Sequence, residues 1–369
     1  MKKLTVILLT LVLVLSCVAC GGGKDDAETG YEIALVTDVG NIDDRSFNQA
    51  AYEGMKEYAE KNNKTYSYYR PTEDSTASRI ESITSAVENG AKVVICPGYL
   101  FEDAVYTTQD QFPEVAFILI DGTPHDSSYA DYKTAANTYA ITYQEEQSGF
   151  FAGYSAVMDG YRELGFLGGM AVPAVVRYGI GYVQGAAQAA QELGLADGEV
   201  NIKYWYSGVF SANDEIKNKM SAWYTEGTEI VFSCGGGILD SCIAAAEEGN
   251  GKIIGVDVDQ SSVSDRIVTS AYKNLAESVI LALTSFYNNG GAWDADHAGV
   301  DVVLGAAEGT TGIPTDANSW RFTQYTVEQY EAIFQKVLSG EVAVASDTTI
   351  SPVDYGKYGD VVVTVDVQE

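Results

Sequence analysis

The chain alternates between two kinds of hydrophobic pattern. Short apolar runs rich in β-branched and aromatic residues are typical of strands, and between them apolar residues recur every three or four positions, as in helices buried on one face. The strand-like runs form two series of four, which begin near Tyr31, Thr65, Lys92 and Val115 and again near Leu164, Val200, Glu229 and Lys252. The intervals are 34, 27 and 23 residues in the first series and 36, 29 and 23 in the second. This spacing predicts a duplicated architecture.

The order of the elements predicts the fold class. Strands that alternate with helices indicate right-handed β-α-β crossovers and a parallel sheet in each half. Roughly 340 residues follow the first 30, which is more than one hydrophobic core usually serves, so we expect two domains. The sequence therefore predicts an α/β protein with two doubly wound parallel-sheet lobes.

The boundary between the halves is expected near residue 143. Ile141 to Tyr143 is interpreted as a connection, and Glu145 to Met158 as the first helix of the second half. Strand and helix patterns continue after Asp259, although a domain complete by Val258 has no need of them. We expect this tail to return across the boundary and make a hinge of several crossings; the alternative is that it only elaborates the second lobe. The expected N-terminal lobe is 31–143 plus 272–296, and the expected C-terminal lobe is 144–271 plus 297–369.

The first residues have the pattern of a secretory signal. Lys2 and Lys3 precede an apolar run from Leu4 to Leu15, and small residues follow before a cysteine. The apolar run is shorter than the roughly 20 residues that a membrane-spanning helix needs. We therefore interpret this segment as an export signal rather than a membrane span.

The end of this leader is more specific. Val18-Ala19-Cys20, followed by three glycines and polar residues, resembles a bacterial lipobox. We expect a signal peptide over residues 1–19, lipidation of Cys20 and a flexible tether over residues 20–30. Cys17 is the alternative lipidation site, and an ordinary signal peptide with an incidental cysteine is the alternative to a lipid anchor.

Charge and cysteine content narrow the choice of partners. The formal net charge is −30, and loss of Lys2 and Lys3 with the leader makes it −32. So acidic a surface disfavours nucleic acid and anionic headgroups as partners. The cysteines beyond the leader are Cys96, Cys234 and Cys242, and an odd count argues against a fully paired disulfide framework. Cys234 and Cys242 are close enough in sequence to pair, but we expect free thiols.

The turn after the first strand carries groups that a tight turn does not require. Asp43 and Asp44 lie where a helix N-cap belongs, and Phe47 and Asn48 place a ring and an amide in the first helical turn. In open α/β sheets, ligands bind beyond the carboxyl ends of the strands, so these groups face the expected site. The alternative is that Phe47 belongs to the core and the acids are only caps.

The other strand ends carry rings, carboxylates and glycines but no obvious catalytic set. The only histidines are His125 and His297, and no G-x-S-x-G elbow, H-E-x-x-H helix or Cys-His metal spacing occurs. Asp257 and Asp259 allow a cation site, or one carboxylate that binds a pair of ligand hydroxyls while the other caps a helix. Gly235 to Gly237 allow a phosphate cradle or, as we expect, a tight strand-to-helix turn.

Aromatic rings together with carboxylates fit a neutral ligand that has a flat face and hydroxyl groups. Stacking of a ring on a base contributes about 1–3 kcal/mol and tolerates different bases. A buried carboxylate that accepts from two vicinal hydroxyls adds charge-assisted hydrogen bonds and rejects analogues without them. The strand-end residues therefore favour a nucleoside as ligand.

Eight stretches, in order, resemble one protein family: VTDVGNIDDRSFNQAAYEG, ICPGYLFEDA, FILIDG, FFAGY, LGFLGGMAVPAVVRYGIGYVQG, SCGGGI, IIGVDVDQ and TSAYKN. The chain resembles the basic membrane protein family of bacterial lipoproteins, the PnrA-like substrate-binding components of ABC transporters that import purine nucleosides. The resemblance covers residues 31–275, and DDRSFNQ and GVDVDQ are its specific motifs. It implies a type I periplasmic-binding-protein fold on the extracytoplasmic face of the cell membrane, anchored by lipid. It also implies an ABC permease as partner and a monomeric receptor without cofactor, metal or catalytic residues.

The resemblance also implies how the base would be bound. Phe47 would stack on one face of the base, and Asn48 would hydrogen-bond its edge. Asp121 would read the imino and amino edge of the purine. Phe210 would stack on the opposite face, although Trp205 or Tyr206 in the same aromatic stretch compete for that role.

The remaining matched positions would bind the sugar. Asp257 would accept from the ribose hydroxyls, and Lys273 would donate to the ribose. Gly236 would supply a backbone contact, and Asp38 would lie close to the ribose or shape the cleft.

Two other functions stay open. A sugar or small-metabolite receptor of the same fold would act as a sensor and pass its signal to a membrane protein. A surface nucleoside hydrolase would use clustered acids to bind Ca²⁺, and the DDRS segment is the only feature that suggests it.

Overall fold

A computed structural model describes residues 30–369. The expected signal peptide, Cys20 and the tether up to residue 29 lie outside these residues. The strands are β1 (Ile33–Val36), β2 (Tyr66–Tyr69), β3 (Val93–Pro97), β4 (Ala116–Ile120), β5 (Thr138–Tyr143), β6 (Glu163–Gly168), β7 (Asn201–Tyr206), β8 (Ile230–Cys234), β9 (Lys252–Asp257), β10 (Ile267–Lys273), β11 (Val300–Leu304), β12 (Thr311–Gly312), β13 (Lys357–Tyr358), β14 (Val361–Val362) and β15 (Thr364–Val367). The helices are α1 (Phe47–Lys61), α2 (Thr76–Glu88), α3 (Glu102–Gln111), α4 (Glu145–Met158), α5 (Pro173–Glu192), α6 (Asp214–Thr225), α7 (Leu239–Gly249), α8 (Leu275–Asn288) and α9 (Val327–Leu338).

The first sheet has six parallel strands in the order β11-β5-β4-β3-β1-β2. All four residues of β1 are buried because helices cover both faces. Ile33 and Leu35 pack under α1 and α8, whereas Ala34 and Val36 point to the other face and pack under α2 and α3. A strand buried on both faces must be apolar throughout, which explains the continuous apolar run of β1.

The second sheet has seven strands in the order β12-β10-β9-β8-β6-β7-β15. All pairs are parallel except β10 with β12. Phe166 of β6 packs in the cluster that includes α4, α5 and α9, and Leu167 packs on the opposite face with α6 and α7. The two sheets with their helices, called here the first and second lobes, confirm the expected α/β class and the parallel sheet in each half.

Glycines let α4 and α5 approach each other closely. A β-carbon at Gly149 would lie 2.1 Å from the carbonyl oxygen of Tyr178, and one at Gly181 would lie 2.0 Å from that of Glu146. Any side chain at these positions would force the helices apart. The glycines therefore let the start of α4 lie against the N-terminal half of α5, next to the cleft described below.

The chain crosses between the sheets three times, after β5, after β10 and after β11. The tail does return to the first lobe, since α8 packs against α1 and β11 pairs with β5. Two expectations are corrected here. Ile141 to Tyr143 is not a connection but the end of strand β5, and Val300–Leu304 lies in the first sheet rather than with 297–369 in the second lobe.

Two simpler expectations can also be compared with the structure. Cys96, Cys234 and Cys242 are buried free thiols, which confirms that Cys234 and Cys242 do not pair. No helix within residues 30–369 is long and apolar enough to span a membrane.

Candidate ligand-binding cleft

The carboxyl ends of both sheets line a cleft between the lobes. The space between its walls, counted out to the open solvent at its mouth, is about 700 Å³. The structure brings all eight predicted site residues to its wall: Asp38, Phe47, Asn48, Asp121, Phe210, Gly236, Asp257 and Lys273. The role of each in binding a ligand stays a prediction.

The turn between β1 and α1 is organised by two carboxylates and one amide. Asp44 caps α1, because its carboxylate accepts from the backbone N–H of Asn48 at 2.9 Å and of Gln49 at 3.1 Å. The Asn48 amide donates to Asp38 at 2.8 Å and to Asp44 at 3.0 Å, and its Oδ1 accepts from the Asp38 backbone N–H. Both amide hydrogens of Asn48 are therefore used within the turn, and only Oδ1 can take a further hydrogen bond.

Burial and hydrogen bonds act on Asp38 in opposite directions. Burial raises the pKa of its carboxyl group to about 6, although hydrogen bonds from Gly40 and Asn48 favour the charged form. Gly40 N–H donates to Asp38 Oδ1 over 2.6 Å. Asp38 therefore lines the cleft mainly as a carboxylate at neutral pH.

Each lobe contributes one phenylalanine ring to the cleft wall. Phe47 begins α1 in the first lobe, and the Lys273 ammonium lies 4.8 Å from the centre of its ring. Phe210 follows β7 in the second lobe and packs on Gly169, where a β-carbon would lie 2.4 Å from the ring. The rings are thus held by different lobes, and each has its own support.

Asp121 follows β4 in the first lobe and adopts a left-handed backbone conformation with φ 61°. Its Oδ2 accepts a hydrogen bond from Lys273, whereas its buried Oδ1 has no hydrogen-bond partner among residues 30–369. Burial raises the pKa of Asp121 to about 7, against the opposing effect of Lys273. A buried polar atom without a partner is uncommon and suits a group that meets a ligand.

Asp257 ends β9 in the second lobe and also has a left-handed conformation, with φ 67°. Its Oδ2 accepts from Ser46 Oγ over 2.5 Å, and its Oδ1 lies 3.8 Å from Lys273 Nζ. Burial raises the pKa of this carboxyl group, while Lys273 and Ser46 favour its ionised form. One oxygen is therefore held by the protein, and the other faces the cleft lysine.

Lys273 is the positive centre of the cleft and is only 2% exposed. It ends β10 at the second crossing, donates to Asp121, and donates to Glu145 Oε1 over 3.3 Å. Burial alone would lower the pKa of its ammonium group, but the nearby carboxylates of Asp121, Glu145 and Asp257 outweigh burial and raise it. Lys273 therefore stays charged and offsets carboxylates from both lobes.

Several residues that line the cleft or bond to its lysine, Lys273, were missed from the sequence. Glu145 accepts from Arg177 Nε over 2.6 Å, and although burial opposes its ionisation, Arg177 and Lys273 lower its pKa. Tyr178 also lines the cleft, and its buried hydroxyl lacks a hydrogen-bond partner in the described part of the chain. The glycines of α4 and α5 are the one sequence signal that could have indicated this close pairing.

The structure also decides between several chemical alternatives. Asp257 lines the cleft and Asp259 does not; the Asp259 carboxylate accepts instead from the Ser261 backbone N–H and the Ser319 hydroxyl. Over residues 30–369 no group of three or more His, Cys, Asp or Glu residues could hold a metal ion. Gly235 to Gly237 form the turn from β8 to α7, as expected. Burial raises the pKa of the Cys234 thiol in the cleft wall, which makes it a poor nucleophile.

Comparisons with known proteins agree with this arrangement. The family model for PnrA-like ABC transporter substrate-binding proteins, named Bmp, matches residues 32–348. The ABC transporter nucleoside-binding protein BmpA of Lactococcus lactis is 28% identical over 280 residues, which cover 70% of this chain and 75% of that protein. Basic membrane protein B of Borreliella burgdorferi is 26% identical over 341 residues, which cover 90% of this chain and 92% of that protein.

Solved structures share the fold. The structure of an ABC transporter solute-binding protein from Aeropyrum pernix superposes with a TM-score of 0.70 at 21% identity and covers 85% of this chain and 94% of that one. An arabinose-binding protein from Geobacillus stearothermophilus superposes with a TM-score of 0.57 at 12% identity and covers 80% of this chain and 99% of that one. At these identities the likeness concerns the fold alone, and it agrees with a type I periplasmic-binding-protein architecture.

Proposed function

Because the chain belongs to the family of PnrA-like substrate-binding proteins of ABC transporters, we propose that it captures a purine nucleoside in the interlobe cleft. The observation that carries this proposal is the composition of the cleft wall. Two phenylalanine rings and two buried aspartates line it, and each lobe supplies one of each. A relative 28% identical carries the name nucleoside-binding protein, which supports the same ligand class.

The rings of Phe47 and Phe210 would hold the base. Closure of the lobes around a flat ligand lets each ring stack on one face, and each such contact is worth about 1–3 kcal/mol. Stacking tolerates different bases, so the rings give affinity without selecting a particular purine. Selection then falls to the polar groups at the base edge.

Asp121 is the group proposed to read that edge. Its buried Oδ1 has no hydrogen-bond partner among the residues that the structure describes, so a ligand N–H would satisfy it. Inosine and guanosine present an N–H at this edge and suit the carboxylate, whereas adenosine presents a ring nitrogen that accepts and suits the protonated acid. A pKa of about 7 makes both forms available near neutral pH.

Asp257 and Lys273 are proposed to bind the ribose. Asp257 Oδ1 would accept from sugar hydroxyls, and the Lys273 ammonium, 3.8 Å away, would donate to the sugar oxygens. Gly236 has φ 56° and brings backbone to the cleft wall without a side chain, while Asp38 shapes the neighbouring wall. A base without sugar would leave these charged groups unsatisfied.

The proposed transfer of the ligand to a permease is based on the chain's membership of this family. We propose that the lipid on Cys20 anchors the chain at the extracytoplasmic face of the cell membrane, where the closed form, as a monomer, passes its nucleoside to the ABC permease. No catalytic, metal or cofactor role is proposed. The rings and carboxylates of the cleft suit ligand binding, and the raised pKa of the Cys234 thiol keeps it protonated.

Calorimetric titration tests the proposal directly. The protein without residues 1–29, refolded free of co-purified ligand, is titrated with guanosine, inosine, adenosine, uridine, cytidine and ribose. We expect one-to-one binding of the purine nucleosides and no heat with ribose. Binding of ribose without response to any nucleoside would favour the sugar receptor instead. Release of ribose from inosine during the titration would favour the hydrolase.

A further inference from the structure

Arg45 and Ser46, in the turn before α1, have no part in the ligand contacts proposed above, yet both touch the second lobe. Ser46 Oγ donates to Asp257 Oδ2 over 2.5 Å. Gln260 Nε2 donates to the Arg45 carbonyl oxygen over 2.9 Å, and the Arg45 guanidinium pairs with Asp240. This short turn of the first lobe is therefore bonded to two segments of the second lobe.

The use of the Ser46 hydroxyl is unusual for its position. Ser46 is the N-cap residue of α1, where a serine side chain normally accepts from the helix backbone. Here the carboxylate of Asp44 takes over that role and accepts from the N–H groups of Ser46, Asn48 and Gln49. The Ser46 hydroxyl is thus released from capping and turned across the cleft to Asp257.

The backbone of Arg45, next to Ser46, is also bonded to the second lobe. Arg45 adopts a left-handed conformation with φ 52°, which a non-glycine residue rarely adopts without local support. Gln260, only 1% exposed, supplies that support through the Arg45 carbonyl oxygen. The two hydrogen bonds fix the turn against the second lobe on both sides of the Arg45–Ser46 peptide.

Because both partners are buried, the Ser46–Asp257 hydrogen bond is important for stabilising the Asp257 carboxylate. Ser46 has no exposed surface and Asp257 is 7% exposed, so a carboxylate in this position depends on protein donors. The bond to Oδ2 sets the plane of the carboxylate and so the direction of Oδ1. Ser46 lies in the first lobe and Asp257 in the second, so the bond forms only when the lobes are together.

We infer that Ser46 is a positioning residue that orients Asp257 across the cleft, so that recognition of the sugar hydroxyls depends on closure of the lobes. This inference rests on the proposed binding of nucleosides. It assigns selectivity for the sugar to a residue that does not itself touch the ligand.

The test compares two ligands that differ only in their sugar hydroxyls. Inosine and 2′,3′-dideoxyinosine are titrated into the wild-type protein, Ser46→Ala, Ser46→Thr and Ser155→Ala. Ser155 is a buried serine of α4 outside the cleft wall, so its variant loses the same atom elsewhere. Thermal unfolding of each variant confirms that it is folded.

We expect Ser46→Ala to weaken inosine binding about tenfold and dideoxyinosine binding less than twofold. Ser46→Thr, which keeps the hydroxyl, should restore inosine affinity to within threefold of the wild type, and Ser155→Ala should change neither affinity. A merely structural role of Ser46 would weaken both ligands equally, and that result, or unchanged inosine affinity in folded Ser46→Ala, overturns the inference. Absence of nucleoside binding in the wild-type protein would overturn the proposed function as well, so the two failures are distinguishable.

Discussion

The two lobes place an aspartate at equivalent points but use it differently. Asp121 follows the fourth strand of the first lobe and Asp257 ends the fourth strand of the second, and both are buried with left-handed backbones. Asp257 has one oxygen held by Ser46, whereas Asp121 has one oxygen without a hydrogen-bond partner in the described range, 30–369. The duplicated architecture thus supplies two equivalent carboxylates, and contacts across the cleft make them different.

The first turns of the lobes differ more strongly. The turn after β1 carries Asp38, Asp44 and Asn48 in one hydrogen-bonded unit. The corresponding turn after β6 contributes the apolar Val172 and Val175 to the cleft wall. The first lobe therefore concentrates polar groups at this turn, and the second relies on apolar packing. The following predictions test which of these differences matters.

The largest effect is expected from Lys273, the residue that joins the two aspartates. Lys273→Met would leave the buried carboxylate of Asp121 without its cation, whereas Glu145 keeps Arg177, and the uncompensated charge costs about 3–5 kcal/mol of folding free energy. Chemical denaturation without ligand measures this change. Lys217→Met, which also removes a lysine paired with a glutamate but at an exposed site, should leave the midpoint unchanged. A folding free energy unchanged by Lys273→Met would refute the bridging role.

The second-largest effect is expected from Asp257, the carboxylate proposed to bind the ribose. Asp257→Asn should weaken inosine binding about a hundredfold, roughly 2.7 kcal/mol, because hydrogen bonds to a charged group are lost. Asp259→Asn is the matched control, since that carboxylate bonds to Ser261 and Ser319 instead of facing the cleft. Calorimetry with both variants checks this. If both variants lost the same affinity for inosine, Asp257 would not be a residue that binds the sugar.

The third prediction compares the two phenylalanine rings, one from each lobe, that are proposed to stack on the base. Phe47→Leu and Phe210→Leu keep apolar bulk but remove stacking, and each should weaken purine nucleosides about tenfold, roughly 1.4 kcal/mol. Similar losses would indicate a sandwich with one ring from each lobe. If only Phe47→Leu weakens binding, Phe210 is a core residue and the base is held from one side.

The smallest effect is a dependence on pH that separates two purines. Asp121 is largely ionised above its pKa of about 7 and largely protonated below it. Lowering the pH from 8 to 6 should therefore strengthen adenosine binding and weaken inosine binding, each about threefold to tenfold. Other carboxyl groups of the cleft shift both ligands alike, so the ratio of the two affinities reports on Asp121. In Asp121→Asn that ratio should no longer change with pH.

The sequence predicts most of the strands, because apolar runs are local features, and the resemblance to the family supplies the eight predicted site residues that lie at the cleft wall. Prediction from the sequence fails where an element forms only because it contacts a segment that is distant in the chain. Ile141 to Tyr143 looks like a connection, yet it belongs to strand β5 because β4 and β11 flank it. Glu145 lies 32 residues from Arg177 and 128 from Lys273. The close pairing of α4 and α5 brings Arg177 to it, and the contact of α4 with β10 brings Lys273. Likewise, only the structure reveals that both amide hydrogens of Asn48 are used inside its own turn.

The three crossings of the chain also govern the order in which the protein can assemble. Helix α8 covers Ala51 and Met55 of α1, and β11 completes the edge of the first sheet, yet both follow most of the second sheet in the chain. A nascent chain that ends at residue 143 therefore presents an uncovered apolar face. The first lobe cannot be completed ahead of the second, so the two must mature together.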